Sequence, residues 1–211
     1  MLLVPLVETL HAPAMLGYAG AEWSTWQNAT SLPWHPKVHY RPEQAPDGTW
    51  IVRADSRAAA SMLTRRVVID PVKTPQISWS WKVEGPIARA DEAQRRSDDV
   101  PARLYFFWNL RRKEDMPRAT GIAYIWGNSR PAGTVHAAPD TGRIGIYVLR
   151  SGREEAGTWK HESRDLRADY RDFFRREPTG PVTAVALLTD TDQTKGHATA
   201  WYGPISVGRV R

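Results

Sequence analysis

The sequence contains no cysteine, which removes disulfides, zinc ribbons and thiol nucleophiles from its possible chemistry. It also lacks an apolar run of the length that a membrane-spanning helix needs. Residues 1–16 have no basic start and carry Pro5, Glu8 and His11, which makes them a poor signal peptide. P-loop, dinucleotide-binding, nucleophile-elbow and zincin motifs are missing as well. The sequence therefore gives no support to the enzyme classes that these motifs identify.

Aromatic residues are what the chain has in excess, with 10 Trp beside 7 Tyr and 4 Phe. Indoles in such number either fill a core with wide gaps or form a surface that stacks on flat ligands. The 211 residues suit one domain. We expect residues 1–40 to be a wrapping segment and residues 49–208 to form the core of the domain.

Short apolar runs separated by Pro, Gly, Asp and Asn predict many strands. The clearest strand alternates Ile77, Trp79, Trp81 and Val83 with polar residues, so one of its faces is apolar and the other is wet. Residues 101–110 are apolar or aromatic on both faces, which is typical of a central strand. Residues 182–189 form a buried strand that we expect to pair with residues 197–202 as a hairpin.

One segment has helical rather than strand periodicity. Leu166, Tyr170, Phe173 and Phe174 share one stripe of a helix predicted from Asp165 to just before Pro178. Residues 84–100 are charged and aperiodic, which predicts a long loop. The pattern as a whole predicts a mainly β fold, an antiparallel β-sandwich of jelly-roll or galactose-binding-like type with one amphipathic helix.

A set of short motifs occurs in a defined order between about residues 50 and 205. The set is Trp79-Ser80-Trp81-Lys82-Val83, Asp98-Asp99, Ala102-Arg103-Leu104-Tyr105, Tyr124-Ile125-Trp126, Trp159, Arg164-Asp165, Asp169-Tyr170, Thr189-Asp190-Thr191-Asp192 and Ala200-Trp201-Tyr202-Gly203. This order resembles the bacterial domain-of-unknown-function family 3047. The resemblance implies an exported protein with a sandwich like those of carbohydrate-binding modules, in the periplasm or secreted. It implies no catalytic or binding residue.

Aromatic residues are the first candidate ligand site. Trp79, Trp81, Trp108, Trp126 and Trp201 could form a platform on which sugar rings or bases stack. Tyr124, in the strand of Trp126, is a further candidate. The alternative is that these rings alternate into the core.

Polar residues at a strand mouth are the second candidate. Asp98 and Asp99 end the predicted loop and lead into the strand of Arg103 and Tyr105. Such groups could orient a polar ligand through charge-assisted hydrogen bonds, or act as acid and base if burial shifts their pKa values. The alternative is an ion pair that fixes the loop.

A calcium site is suggested by Asp190 and Asp192, whose carboxylates two residues apart could turn oxygens toward one cation. The EF-hand pattern then fails, because its glycine and glutamate positions hold Lys195 and Trp201. The alternative is a polar turn in which the Asp side chains bond local amides. No other cofactor is expected.

These features favour a non-catalytic module that binds carbohydrate or a similar polar ligand. An enzyme that cleaves polysaccharide or ester bonds is a second hypothesis. It requires Asp98, Asp99, Arg103 and one of Tyr105 or Tyr124 to meet in a single cleft. Nucleic-acid binding is disfavoured, since the net charge of +6 is spread along the chain rather than clustered.

Overall fold

The computed structural model describes residues 8–9, 14–30 and 34–209. In chain order its elements are β1 (Glu8–Thr9), β2 (Ala14–Leu16), α1 (Gly20–Trp23), β3 (Trp26–Ala29), β4 (His39–Gln44), β5 (Trp50–Arg57), β6 (Met62–Ile69), β7 (Gln76–Val83), β8 (Ala102–Phe107), a 3₁₀ helix (Lys113–Arg118), β9 (Gly121–Gly127), β10 (Val135–Ala137), β11 (Ile144–Ser151), β12 (Lys160–Asp165), α2 (Leu166–Phe174), β13 (Val182–Leu188), β14 (His197–Tyr202) and β15 (Ile205–Gly208). The predicted mainly β class is confirmed. No helix in the described part of the chain has the length and apolarity to cross a bilayer.

Two sheets form the sandwich. The eight-stranded sheet has the order β1-β6-β13-β8-β9-β11-β10, with β3 also pairing with β6. The seven-stranded sheet has the order β2-β15-β7-β14-β5-β4, with β12 also pairing with β7. The pairings are antiparallel apart from β1 with β6 and β9 with β11, which are parallel. The short strands of the first forty residues thus add to both sheets.

The predicted strand patterns agree with the structure. Strand β7 buries Ile77, Trp79, Trp81 and Val83 and turns Ser78, Ser80 and Lys82 away from the core. Strand β8 lies between β13 and β9 and is buried on both faces, as its continuous apolar run predicted. Residues 84–100 contain no strand or helix. The long loop is therefore confirmed.

The predicted hairpin of residues 182–189 and 197–202 is wrong. Strand β13 belongs to the eight-stranded sheet and β14 to the seven-stranded sheet, so they do not pair. The polar turn between them carries the chain from one sheet to the other. Apolar alternation fixes which face of a strand is buried but not the neighbour it pairs with, and both strands satisfy that pattern in separate sheets.

Indoles fill the space between the sheets. The ring centroid of Trp79 lies 5.4 Å from that of Trp81 and 5.2 Å from that of Tyr124. Trp81 in turn meets Trp126 edge-on at 6.2 Å. Such tilted and edge-to-face contacts between large rings bury much apolar area. They form the centre of the main hydrophobic core.

Helix α2 closes one side of the sandwich. Its N-cap Asp165 accepts a 2.8 Å hydrogen bond from the backbone N–H of Ala168. Leu166 and Tyr170 are buried, while Phe173 and Phe174 pack partly buried against the core. The predicted amphipathic helix is confirmed in position and in the face that it buries.

Candidate ligand-binding site

The strand-mouth residues do come together, but in a buried cluster. Arg103 and Tyr105 project from β8 on the face opposite Leu104, and they are 5% and 6% exposed. Nη1 of Arg103 donates to the Tyr105 hydroxyl at 2.7 Å, and Nη2 donates to the Asp98 carbonyl oxygen at 3.0 Å. Burial raises the pKa of Tyr105 while the neighbouring guanidinium opposes the shift. The Tyr105 phenol is therefore a hydrogen-bond partner rather than a base at neutral pH.

Asp99 holds the turn that follows β13. Its carboxylate accepts hydrogen bonds from the backbone N–H groups of Gln193 and Thr194, at 3.1 and 2.7 Å, and from the Thr194 hydroxyl at 2.6 Å. Its own carbonyl oxygen accepts from the Asn128 amide at 2.8 Å. This fully buried carboxylate fixes a turn and a loop, which is the structural alternative raised by the sequence.

Three carboxylates meet behind that turn. Asp99, Asp190 and Asp192 each offer an oxygen within 4.8 Å of the others, although Asp99 is far from them in sequence. The pKa of Asp190 is raised well above its ordinary value, by burial first and then by the charges of Asp192 and Asp99, against the pull of Arg103. Carboxylate oxygens in this arrangement are the ligand type that calcium prefers. Calcium binding by Asp190 and Asp192 remains a prediction.

The inner aromatic candidates are core residues. Trp79, Trp81, Tyr124 and Trp126 are at most 2% exposed, so an external ligand cannot stack on them without opening the sandwich. Trp108 is half-buried and packs on Tyr170 at 4.5 Å. These five rings therefore have the packing role that the sequence allowed as the alternative.

Tyr124 lies apart from the cluster of Asp98, Arg103 and Tyr105. Its hydroxyl donates to the Asp169 carboxylate at 2.6 Å, on the face of the eight-stranded sheet that is turned toward the other sheet. Burial and that carboxylate raise its pKa well above the ordinary value. Tyr105 lies on the opposite face of the same sheet. The geometry that the enzyme hypothesis required with Tyr124 is therefore not formed.

Trp201 differs from the other candidates because it faces outward. On β14 it alternates with the buried Ala200 and Tyr202. In the seven-stranded sheet it lies directly opposite Lys82 of β7 on one side and Arg53 of β5 on the other. Adjacent residues of a strand point to opposite faces, so a Trp-Tyr pair must expose one ring if it buries the other.

Trp159 and Arg41 extend this line at its two ends, so that five side chains cross the outer face of the seven-stranded sheet. We name them the indole–cation row: Trp159, Lys82, Trp201, Arg53 and Arg41. The Lys82 ammonium lies 4.1 Å from the ring centroid of Trp201 and 5.6 Å from that of Trp159. The guanidinium of Arg53 lies 5.4 Å from the Trp201 ring. Lys82 thus lies between the two indoles, and Arg53 and Arg41 follow Trp201, on a solvent-facing surface.

Hydrogen bonds fix this row in place. The Trp201 Nε1–H donates to Glu43 at 2.9 Å. The Arg53 Nε–H donates to Asp55 at 3.1 Å. Burial works against ionisation of Asp55, yet Arg53 and Arg41 outweigh it and lower the pKa of this carboxyl. Trp159 is 38% exposed, so part of its ring is open to a ligand.

The sequence pointed to Trp201 but gave no reason to separate it from the buried indoles. Trp159 entered only through the ordered motifs. The neighbouring residues carry the signal for both. Residues 160–165, which follow Trp159, have no apolar alternation, as expected of a strand at the surface. Trp201 and Tyr202 are adjacent in a strand, so only one of the two rings can face the core.

A shallow depression of about 380 Å³ adjoins the row at β4 and β5. It is lined by Lys37, His39, Arg53, Asp55 and Arg57. Four of these five side chains can carry positive charge. The outer face therefore combines open indole surface with a basic concavity.

Solved structures to which this chain has some similarity include a xyloglucanase domain, an endoglucanase and a carbohydrate-binding module. The xyloglucanase domain of NopAA from Sinorhizobium fredii, in complex with cellobiose, is 13% identical at a TM-score of 0.46, covering 88% of this chain and 93% of its own. An endoglucanase from Rhodothermus marinus is 10% identical at 0.45, covering 95% and 100%. The family 30 carbohydrate-binding module of a Clostridium thermocellum cellulase is 9% identical at 0.41, covering 97% and 95%.

The search of curated proteins gives no match to this chain. Residues 23–206 match the family described as "Protein of unknown function (DUF3047)". This match covers both sheets from β3 to within β15, and it agrees with the resemblance carried by the ordered motifs. The chain therefore belongs to the DUF3047 family.

Proposed function

We propose that this protein binds polysaccharide, without cleaving it, on the indole–cation row of the seven-stranded sheet. The observation that carries the proposal is the outward placement of Trp159 and Trp201 on one sheet face, while the other candidate indoles are buried or packed on the core. A flat indole offers apolar surface to the C–H face of a sugar ring, and neighbouring charged groups can hydrogen-bond to its hydroxyls.

The spacing of the two indoles suits a chain of sugars. Trp159 immediately precedes β12, and Trp201 lies on β14, with β7 between them. Two strand spacings separate such positions by about 10 Å. A short run of linked pyranose rings can span this separation. A ligand that crosses the strands could therefore contact both indoles.

Lys82 lies between the two rings and gives the surface a polar centre. Its ammonium has three donors and no acceptor, so it can bond to sugar hydroxyl or carboxylate oxygens. Its stem is flexible, and the ammonium can move aside when a sugar stacks on either indole. The surface therefore offers both stacking and hydrogen bonding without a change of backbone.

The two carboxylates bonded to the row, Asp55 and Glu43, suit binding better than catalysis. A glycosidase general acid needs a raised pKa, whereas the pKa of Asp55 is lowered by its arginine partners. Glu43 accepts from Trp201 and lies 3.7 Å from Arg41. Both groups are thus engaged in holding the row together.

The test is calorimetric titration against soluble polysaccharides that include neutral and acidic types. Replacing either indole, in Trp159→Ala or Trp201→Ala, should weaken binding about tenfold through loss of the stacked ring. Trp50→Ala is the matched control, since Trp50 is also 38% exposed but alternates to the opposite face of β5.

Binding that neither variant weakens would overturn the proposed site, and failure of the wild type to bind any polysaccharide would overturn the proposed function. Release of sugar products during the titration would instead favour the enzyme hypothesis. An extracellular ligand also fits the exported location expected from the family resemblance. Cell fractionation, with the protein expected outside the cytoplasm, tests that location separately.

A further inference from the structure

The basic depression beside the indole–cation row contains an arginine, Arg57, that has no partner among the described residues. Arg57, the last residue of β5, is exposed and makes no ion pair or side-chain hydrogen bond within residues 8–9, 14–30 and 34–209. Arg53, by contrast, shares the Asp55 carboxylate with Arg41. A guanidinium that is free on the wall of a concavity has its planar set of donors available to a ligand.

Lys37, a second cation of the depression, also has a weak partner. Lys37 makes one 3.4 Å contact to the Asn28 carbonyl oxygen. His39 is exposed beside it on β4. The carboxylate of the depression, Asp55, is occupied by Arg53 and by the Thr199 hydroxyl. A ligand entering here therefore meets donors and positive charge, with the local negative charge already neutralised.

The outer face around the depression also has more positive than negative side chains. Around the depression and the row lie the cations Lys37, Arg41, Arg53, Arg57 and Lys82 and the carboxylates Glu43, Asp55 and Glu84. An excess of positive charge around a concave site raises the local concentration of anionic ligands. A neutral polysaccharide would make no use of that excess.

We infer that the depression binds sugar carboxylates, so that the ligand is an acidic, uronate-containing polysaccharide. The inference rests on the proposed function, and it assigns the two parts of the face different tasks. The indoles stack on the sugar rings, and Arg57, with Lys37 beside it, pairs with a carboxylate carried by the same chain. Arginine matches a planar carboxylate through two parallel N–H···O bonds, which lysine cannot form.

The first experiment compares one polysaccharide with its neutral counterpart. Polygalacturonate and the same polymer after reduction of its carboxyl groups are titrated into the wild-type protein. Polygalacturonate should bind at least tenfold more tightly than the reduced polymer, and its affinity should fall as salt rises, because charge-assisted contacts on a surface are screened. Dextran sulfate, which carries sulfate esters instead, separates carboxylate recognition from general attraction to anions.

The second experiment removes the free guanidinium. Arg57→Gln should lower the affinity for polygalacturonate about tenfold and leave binding of the reduced polymer unchanged. Arg118→Gln is the matched control, since it removes one charge from an exposed position at the end of the 3₁₀ helix, away from the seven-stranded sheet. That control should leave both affinities within twofold of the wild type.

The outcomes separate this inference from the proposed function. Equal binding of the acidic and reduced polymers, with both weakened by Trp159→Ala, would overturn the acidic ligand and keep the polysaccharide surface. Tighter binding of dextran sulfate than of polygalacturonate would overturn carboxylate recognition. Binding of no polymer would remove both proposals together.

Discussion

At the scale of single residues, the buried polar groups around β8 differ in how many hydrogen-bond partners they have. Asp99 accepts three hydrogen bonds from the turn after β13, whereas one carboxylate oxygen of Asp98 is buried without a partner among the described residues. Burial is the main cause of the raised pKa of Asp98. Two adjacent aspartates thus have opposite environments, and the sequence alone treats them alike.

This difference predicts opposite results for the two residues. Asp99→Ala should lower the free energy of unfolding by about 2 kcal/mol or more, because two backbone N–H groups and one hydroxyl lose their acceptor. Asp98→Ala should cost less than about 1 kcal/mol, since the bond from Arg103 goes to the Asp98 backbone carbonyl and survives the change. Urea denaturation of both variants provides the measurement, and a larger loss in Asp98→Ala would contradict this account.

The candidate site shows where residue-level prediction stops. Alternation along β14 could place Trp201 and Tyr202 on opposite faces, but it could not decide which ring faces out. That choice depends on the sheet that β14 joins and on the 2.9 Å bond between the Tyr202 hydroxyl and Thr189. Asp99 likewise meets Asp190 and Asp192 only because two loops lie side by side in the fold. The spacing of these residues along the chain does not reveal that contact.

At the scale of elements, the strands and the helix that the sequence predicted correctly are those with a strong periodicity of apolar residues. Strand β7 alternates without interruption, and α2 has its apolar stripe and its aspartate cap, so both could be predicted. The pairing of β13 was not predictable in this way. Its two neighbours, β6 and β8, are brought to it by long connections, whereas the shortest connection leads to the other sheet.

The contact between α2 and β11 gives a prediction about packing. A Cβ atom at Gly145 would lie 2.6 Å from the Phe173 ring, which is closer than packed carbon atoms can approach. Gly145→Ala should therefore displace α2 and destabilise the fold by about 1–3 kcal/mol. Gly208→Ala is the control, because Gly208 is also a strand residue, the last of β15, but has no atom within 4 Å of such a Cβ.

Thermal unfolding of the two glycine variants measures this difference. Gly145→Ala should melt several degrees below the wild type, and Gly208→Ala should melt close to it. Equal melting temperatures for the two variants would show that Phe173 moves aside at little cost. The helix would then be a loosely attached cover rather than part of the packed structure.

At the scale of the whole molecule, the two sheets are interleaved along the chain. Strand β5 belongs to the seven-stranded sheet, β6 to the eight-stranded sheet and β7 to the seven-stranded sheet again. The chain crosses between the sheets four more times, on entering β8, β12, β13 and β14. Neither sheet consists of one continuous stretch of sequence, so neither can form without most of the other. The outer face that carries the indole–cation row is therefore only as stable as the entire sandwich.

Interleaving predicts a single cooperative unfolding transition. Tryptophan fluorescence reports largely on the packing of Trp79, Trp81 and Trp126 between the sheets, whereas far-ultraviolet circular dichroism reports on the strands of both. The two signals should give the same urea midpoint. Separate midpoints would mean that one sheet survives the loss of the core, contrary to the interleaved topology.

A bridging tyrosine makes this prediction sharper. The Tyr202 hydroxyl of β14 donates to the Leu188 carbonyl oxygen of β13 at 2.8 Å, joining one sheet to the other. Tyr202→Phe removes that bond and leaves a buried carbonyl with one partner fewer, which should cost about 1–2 kcal/mol. Because the sheets depend on each other, both signals should shift to lower urea by the same amount. A shift in only one of them would show that the sheets unfold independently.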